Sequence, residues 1–162
     1  MFLSRMFNSL SMSMQEQYKI ELLDMNKKTQ DYGLILNLED VELLLAGRSQ
    51  VLYSYGRVEL SIEVTKELIE AFSTSSFIQQ ENYANTLQEL HELFYYLKNE
   101  TEDRISDRML MSRMKEAFEE DCEGSLELAK SRLEEYAAEF RSSLQRNEML
   151  QEGEDDDWDR NI

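Results

Sequence analysis

A chain of 162 residues, 41% of them hydrophobic, has the length and the apolar content for one folded domain. Its 34 acidic and 17 basic side chains give a formal net charge of −17, which repels phosphate groups and so disfavours binding to nucleic acids or anionic membranes. A single Cys and a single His exclude an internal disulfide, a multi-thiolate zinc site and every catalytic motif that needs two histidines.

The first segment, residues 1–13, precedes the regular helical pattern. Its apolar residues are interrupted by Ser and Asn, so it contains neither the unbroken apolar run of a signal peptide nor a membrane span. We predict a flexible N-terminal segment and no membrane partner.

Apolar residues then recur at helical spacing through residues 14–146, and the absence of Pro is compatible with long helices. The predicted helices cover residues 14–30, 38–55, 62–72, 80–99, 107–121 and 126–146. The fourth is the most regular, with one stripe formed by Tyr83, Leu87, Leu90, Phe94 and Leu97. The pattern predicts an all-α fold, a small bundle of five to six helices in a single domain.

Two short segments between these helices have an extended character. Residues 34–36 follow Gly33, and residues 57–60 follow Gly56; both glycines suit the end of a helix. Alternating apolar and polar residues in the second segment resemble a strand, so the two segments could pair as a minor two-stranded ribbon.

The far end, residues 147–162, carries seven acidic side chains and one basic side chain. A run of like charges packs poorly, so we predict a disordered acidic tail. Trp158 is the only Trp and lies inside this tail. It either docks its indole into a groove on a partner or belongs to a solvated tail without a role.

Side chains that carry chemistry are scarce. His91 and Cys122 could form a base and a nucleophile, but nothing in the sequence brings them together, and a helix C-terminus disfavours a thiolate at Cys122. The glycines are scattered singly, so no phosphate-binding loop occurs. The acids Glu116, Glu119, Glu120 and Asp121 could bind a divalent cation loosely, although such a face is usually only solvated. We predict no catalytic residue, no cofactor and no metal site, and therefore no enzyme.

The densest aromatic cluster is Phe94-Tyr95-Tyr96. Consecutive helical residues diverge by about 100°, so Tyr95 and Tyr96 leave the stripe that contains Phe94. Both can pack against a neighbouring helix, and either can mark a surface for a partner.

Several motifs lie between residue 26 and about residue 133: Asn26-Lys-Lys-Thr29, Tyr32-Gly-Leu34, Arg48, Tyr55-Gly-Arg-Val-Glu59, Asn82-Tyr83, Phe94-Tyr-Tyr-Leu-Lys-Asn-Glu100 and Glu123-Gly-Ser-Leu126. With them the chain resembles an uncharacterised family of small acidic bacterial proteins of the Firmicutes type, a domain of unknown function. The resemblance implies a cytoplasmic bacterial protein and no particular activity.

A binding site is expected near Arg48, Tyr55, Arg57 and Glu59. The two arginines are among the few bases of a very acidic chain, and both lie beside helix ends. They either contact a partner or pair with acids of the chain, Glu59 among them.

These observations predict a non-catalytic, cytoplasmic interaction or adaptor module that binds a protein partner or self-associates, with no specific small-molecule ligand. One alternative is an acidic mimic of nucleic acid that binds a basic partner. A second alternative is a metal-dependent enzyme with a site made of carboxylates alone. The candidate partner-binding residues are Arg48, Tyr55, Arg57, Glu59, Tyr95, Tyr96 and Trp158.

Overall fold

The computed structural model describes the backbone of residues 2–160 and the side chains of residues 13–150. Its helices are α1 (Phe2–Asp24), α2 (Asn26–Thr29), α3 (Leu38–Ser54), α4 (Glu63–Phe72), α5 (Tyr83–Glu100), α6 (Asp107–Glu116) and α7 (Leu126–Arg160). Short 3₁₀ turns cover Gln30–Tyr32 and Gln80–Asn82, and a π-helical turn at Ala117–Asp121 extends α6. The predicted all-α bundle is confirmed, with six helices besides the single turn α2.

Two of the helices begin at residues whose side chains cap the helix N-terminus. At the start of α3, the Asn37 side chain accepts a hydrogen bond of 2.8 Å from the backbone N–H of Asp40, whose carboxylate accepts one of 3.1 Å from the N–H of Asn37. Ser106 caps α6 by accepting from the N–H of Met109. Helix α1 ends at Asp24, earlier than predicted, because the chain bends at Met25 before entering α2.

The two predicted terminal segments fall largely outside the described side chains. Side chains of residues 1–12 and 151–162, Trp158 included, are not described. The division into a flexible segment 1–13, a helical domain 14–146 and a disordered tail 147–162 therefore stays a prediction.

Helix α5 occupies the centre of the bundle, where it packs against α3, α4, α6 and α7. The predicted stripe is confirmed, since all five of its side chains are buried: Tyr83, Leu87, Leu90, Phe94 and Leu97. Because neighbours cover α5 on several sides, His91, Leu93 and Tyr95 are buried too, although they lie off the stripe.

The predicted ribbon is wrong, since no strand occurs among residues 2–160. Side chains form hydrogen bonds with the backbone N–H and C=O groups that a partner strand would otherwise pair with. The Asn26 carboxamide accepts from the N–H of Leu36 at 2.8 Å and donates to its carbonyl at 2.7 Å. The Gln80 carboxamide does the same for Ile35, at 2.8 Å in both directions. Two carboxamides thus take the place of a partner strand beside residues 34–36.

Candidate functional site

A pocket of about 500 Å³ opens between α1, the second half of α3 and the connection that leads to α4. We call it the arginine pocket, and its lining consists of Met14, Gln15, Tyr18, Arg48, Ser49, Leu52, Tyr53, Arg57, Val58 and Glu59. Its volume lies in the range typical of ligand sites in proteins. Three of the seven predicted site residues, namely Arg48, Arg57 and Glu59, meet here.

The turn at Gly56 brings the connection back over the pocket. Gly56 has a φ of +63°, its N–H donates to the carbonyl of Tyr53, and the N–H of Arg57 donates to the carbonyl of Leu52 at 2.8 Å. This is a Schellman ending, which favours Gly at the position of positive φ. The motif Tyr55-Gly-Arg-Val-Glu59 therefore ends α3 and places Arg57, Val58 and Glu59 beside it.

Arg48 anchors this connection from inside the bundle. Its side chain is only 3% exposed, and its Nη2 donates to the carbonyls of Ser61 at 2.8 Å and Glu59 at 3.3 Å. Its guanidinium lies over the ring of Tyr18, 5.3 Å from the ring centroid, a cation–π arrangement. No carboxylate pairs with Arg48 among residues 13–150.

Glu59 is held by Tyr95 of α5. The Tyr95 hydroxyl donates to the Oε2 of Glu59 at 2.6 Å, and its ring packs edge-to-face on Phe94. Burial, together with this bond to a carboxylate, raises the pKa of Tyr95, so the hydroxyl keeps its proton and remains a donor. Tyr95 is fully buried and supports the pocket from behind.

Arg57 has its own acidic partner, which the sequence did not reveal. Its Nη2 donates to both carboxylate oxygens of Asp103, at 2.8 Å each. Asp103 lies just beyond α5, and both it and Glu102 have positive φ, of 58° and 55°. A positive φ is uncommon for residues other than Gly. The end of α5 thus adopts an unusual backbone conformation where it presents Asp103 to Arg57.

Three lining residues have a buried polar atom without a hydrogen-bond partner within residues 13–150: the Tyr18 hydroxyl, the Arg48 Nε and the Arg57 Nε. The two guanidinium nitrogens are donors only, and the phenol can donate as well. Buried polar groups are normally paired. These three atoms have almost no accessible surface, so they form unsatisfied polar positions in the wall behind the pocket.

Apolar side chains surround these donors and continue to the outer surface. Met14, Leu52 and Val58 belong to the lining, and Tyr53 and Val58 are 88% and 84% exposed. Leu60, two residues further along, is exposed as well. Exposed apolar side chains that cluster beside a pocket are typical of binding surfaces.

The other two predicted tyrosines lie elsewhere. Tyr55 and Tyr96 line a second cavity of about 340 Å³ between α3, α5 and α7, with Gln88 and Lys130 in its wall. Burial, with the nearby carboxylate of Glu100, raises the pKa of both tyrosines. They do not contribute to the arginine pocket.

His91 is part of the core and is not placed for acid–base work at the surface. Its Nε2 lies 2.7 Å from the Oγ1 of Thr65. Burial, and to a smaller extent the charge of Arg48, lowers its pKa from 6.5 to about 4, so it is neutral at physiological pH. The described polar contact of this ring is with Thr65, and Cys122 is a separate buried thiol.

Tyr18 and Asp103 are the two residues of this candidate site that the sequence did not single out. Tyr18 lies in the first predicted helix, and its ring is buried. No local signal showed that its hydroxyl would lack a partner. Asp103 is one acid in a polar stretch, and its role depends on a residue 46 positions earlier.

Within residues 13–150, no three or more His, Cys, Asp and Glu side chains gather so that they could hold a metal ion. Of the described helices, none is both long and apolar enough to cross a membrane.

A family model described as a family of unknown function, DUF6323, matches residues 21–146 of the chain. The match covers every described element of the arginine pocket except Met14, Gln15 and Tyr18. No curated protein and no solved structure matches the chain.

Proposed function

We propose that this chain, which belongs to the DUF6323 family of unknown function, is a non-catalytic interaction module. It binds a protein partner at the arginine pocket and at the rim of the pocket, which consists of the exposed residues Tyr53, Val58 and Leu60. One observation carries the proposal: Arg48 is buried in the wall of an apolar pocket and has no carboxylate partner among residues 13–150.

The energetics of a buried charge support a binding role. A charged side chain removed from water costs several kcal/mol unless an opposite charge and hydrogen bonds compensate it. In Arg48, two backbone carbonyls and the Tyr18 ring satisfy part of the guanidinium, and the Nε stays without an acceptor. A partner that closes the pocket and places a negative charge near Arg48 would supply further compensation.

The rim supports a protein partner in particular. Tyr53, Val58 and Leu60 project from the end of α3 and the following connection, and all three are exposed. Protein interfaces combine an apolar centre with Tyr and Arg side chains, and this surface combines the same residue types.

Two further observations fit a non-catalytic role in the cytoplasm. The side chains most capable of chemistry, His91 and Cys122, are both buried and lie outside the lining of the pocket. The single Cys is unpaired, which is usual for a protein of a reducing compartment.

The experiment compares two aspartate substitutions at exposed apolar residues. Val58→Asp places a charge at the rim, and Leu128→Asp makes the same change on α7, where Leu128 is exposed and outside the lining. The wild type and both variants are immobilised and incubated with lysate of the host cell. A protein retained by the wild type and by Leu128→Asp, but lost from Val58→Asp, is expected. Equal retention by all three chains, or no retained protein, would contradict the proposal.

A further inference from the structure

We propose that this chain forms a two-fold dimer through the exposed side of α3, so that a second copy of the chain is the partner. This inference rests on the proposed function and specifies the partner. The surface consists of six exposed residues of α3, and we call it the α3 face: Leu43, Ala46, Ser49, Gln50, Tyr53 and Ser54. It shares Tyr53 with the rim of the arginine pocket and continues there into Val58 and Leu60.

The α3 face and the rim expose no charged side chain, although 31% of the residues of the chain are charged. The charged residues within 43–60 are Arg48, Arg57 and Glu59, and none of them is exposed. Each of the three is bonded to another group of the chain. The surface therefore presents no free charge that would select a charged partner.

The net charge of the chain, −17, favours a second copy at such a surface. A basic partner is attracted to the acidic parts of the molecule, and the α3 face is not one of them. Two copies of the chain repel each other wherever their carboxylates approach, because like charges that meet in an interface are costly. Two copies can therefore come into contact where neither exposes a charge, and the α3 face provides such a surface.

The spacing of the exposed residues suits a two-fold axis. Leu43, Ala46, Gln50 and Tyr53 follow steps of three, four and three, so they form one stripe along α3. This order of steps is the same in both directions along the helix. When two antiparallel α3 helices cross between Ala46 and Gln50, Leu43 therefore lies beside the partner's Tyr53. The small side chain of Ala46 at the crossing lets the helices approach closely.

The apolar side chains of the α3 face supply the driving force for association. Leu43 is 65% exposed and Tyr53 88%, and both become covered in this arrangement. Burial of apolar surface is favourable, and homodimer interfaces are more apolar than the remaining surface of a protein. Contiguous exposed apolar patches are also rare on monomeric proteins.

Sedimentation equilibrium of the full-length protein tests the inference, and the wild type is expected to dimerise reversibly. Ala46→Glu places a carboxylate near the axis in both copies, so the dimer should dissociate at least about tenfold more readily. Glu is a good helix former, and the position is exposed, so the fold should be retained. Ala138→Glu makes the same change at an exposed alanine of α7, outside the α3 face, and should dimerise like the wild type.

Salt distinguishes this dimer from association through opposite charges. Raising the salt concentration screens the repulsion between two copies that each carry −17, so the wild-type dimer should become tighter. Association that depends on opposite charges becomes weaker under the same change. A wild-type dimer that weakens as salt is added would therefore overturn the inference.

A wild type that stays monomeric, or equal dimerisation of Ala46→Glu and the wild type, would overturn the inference as well. If thermal melting shows that Ala46→Glu is unfolded, Tyr53→Asp at the other exposed end of the stripe takes its place under the same criteria. The proposed function fails separately, when Val58→Asp retains the same lysate proteins as the wild type. A monomeric wild type that still retains a protein through Val58 would overturn the dimer alone.

Discussion

The Tyr95 hydroxyl and the Glu59 carboxylate are joined by a hydrogen bond of 2.6 Å between the central helix α5 and the connection that forms the pocket. The two residues are 36 positions apart, and Tyr95 is fully buried. Arg48 holds the same connection through the carbonyls of Glu59 and Ser61. Residues 59–61 are therefore fixed to the core at two points, which gives the pocket a rigid wall.

Tyr95→Phe should destabilise the fold by about 2 kcal/mol, because a hydrogen bond to a charged group is lost and a partly buried carboxylate remains unpaired. Urea unfolding of the variant and the wild type measures the free energy of unfolding. Tyr53→Phe is the control, since Tyr53 is exposed and should change stability very little. Equal stability of Tyr95→Phe and the wild type would show that the bond does not fix the connection.

His91 should make stability depend on pH. Its pKa is lowered from 6.5 to about 4 by burial, and further by Arg48, so the unfolded chain takes up the proton first as the pH falls. Its stabilising contribution is complete above pH 6.5 and is lost between pH 6.5 and 4, by about 3 kcal/mol in total. The free energy of unfolding is measured across this range for the wild type and for His91→Gln. The difference between the two should shrink or reverse towards pH 4, whereas a constant difference would argue against a neutral buried His91.

The Asn26 carboxamide should be one of the most important polar groups of the fold. Asn26→Ala leaves the N–H and carbonyl of Leu36 without partners in a partly buried position, so a loss of about 3 kcal/mol is expected. Gln80→Ala removes the equivalent pair at Ile35, which is exposed, and water can replace it there; about 1 kcal/mol is expected. Urea midpoints compare the two variants. A smaller effect for Asn26→Ala than for Gln80→Ala would refute this explanation for residues 34–36.

Glu102 offers a stabilising substitution. It has a φ of 55° at the end of α5, a conformation that a side chain disfavours by about 1 kcal/mol or more. Glu102→Gly should therefore raise the free energy of unfolding by about 1 kcal/mol, whereas Glu102→Ala should bring no gain. Thermal melting of both variants checks this, and an equal or lower melting temperature for the Gly variant would contradict it. Its ion pair with Arg104, at 3.7 Å, is exposed and contributes little.

Local patterns in the sequence predicted the helices well because the rules for them act over a few residues. The cap formed by Asn37 and Asp40 depends on residues three positions apart, and the buried stripe of α5 depends on steps of three and four. The prediction of a two-stranded ribbon was wrong because it, too, considered only a few neighbouring residues. Residues 34–36 do have an extended pattern, but the Asn26 side chain that replaces the partner strand cannot be recognised from that pattern.

The site was predicted in part. Arg48 and Arg57 stood out because bases are few in this chain, and Glu59 belonged to the same motif; all three line the pocket. The pairing of Arg57 with Asp103 spans 46 positions, and no local spacing encodes it. The Tyr18 hydroxyl has no hydrogen-bond partner because no polar group of residues 13–150 packs beside it. That absence is visible only in the packed structure.

The resonance of the Arg48 Nε–H tests the role of the pocket most directly, because Arg48 lies in the wall of the pocket. It is observed by NMR in the ¹⁵N-labelled wild-type protein, so no variant has to fold. During titration with the protein that the wild type retains, the Arg48 Nε–H signal should shift in proportion to occupancy. The signal of Arg113, which is paired with Glu116 outside the lining, should stay in place. Saturation of binding with an unchanged Arg48 signal would contradict a ligand site at this arginine.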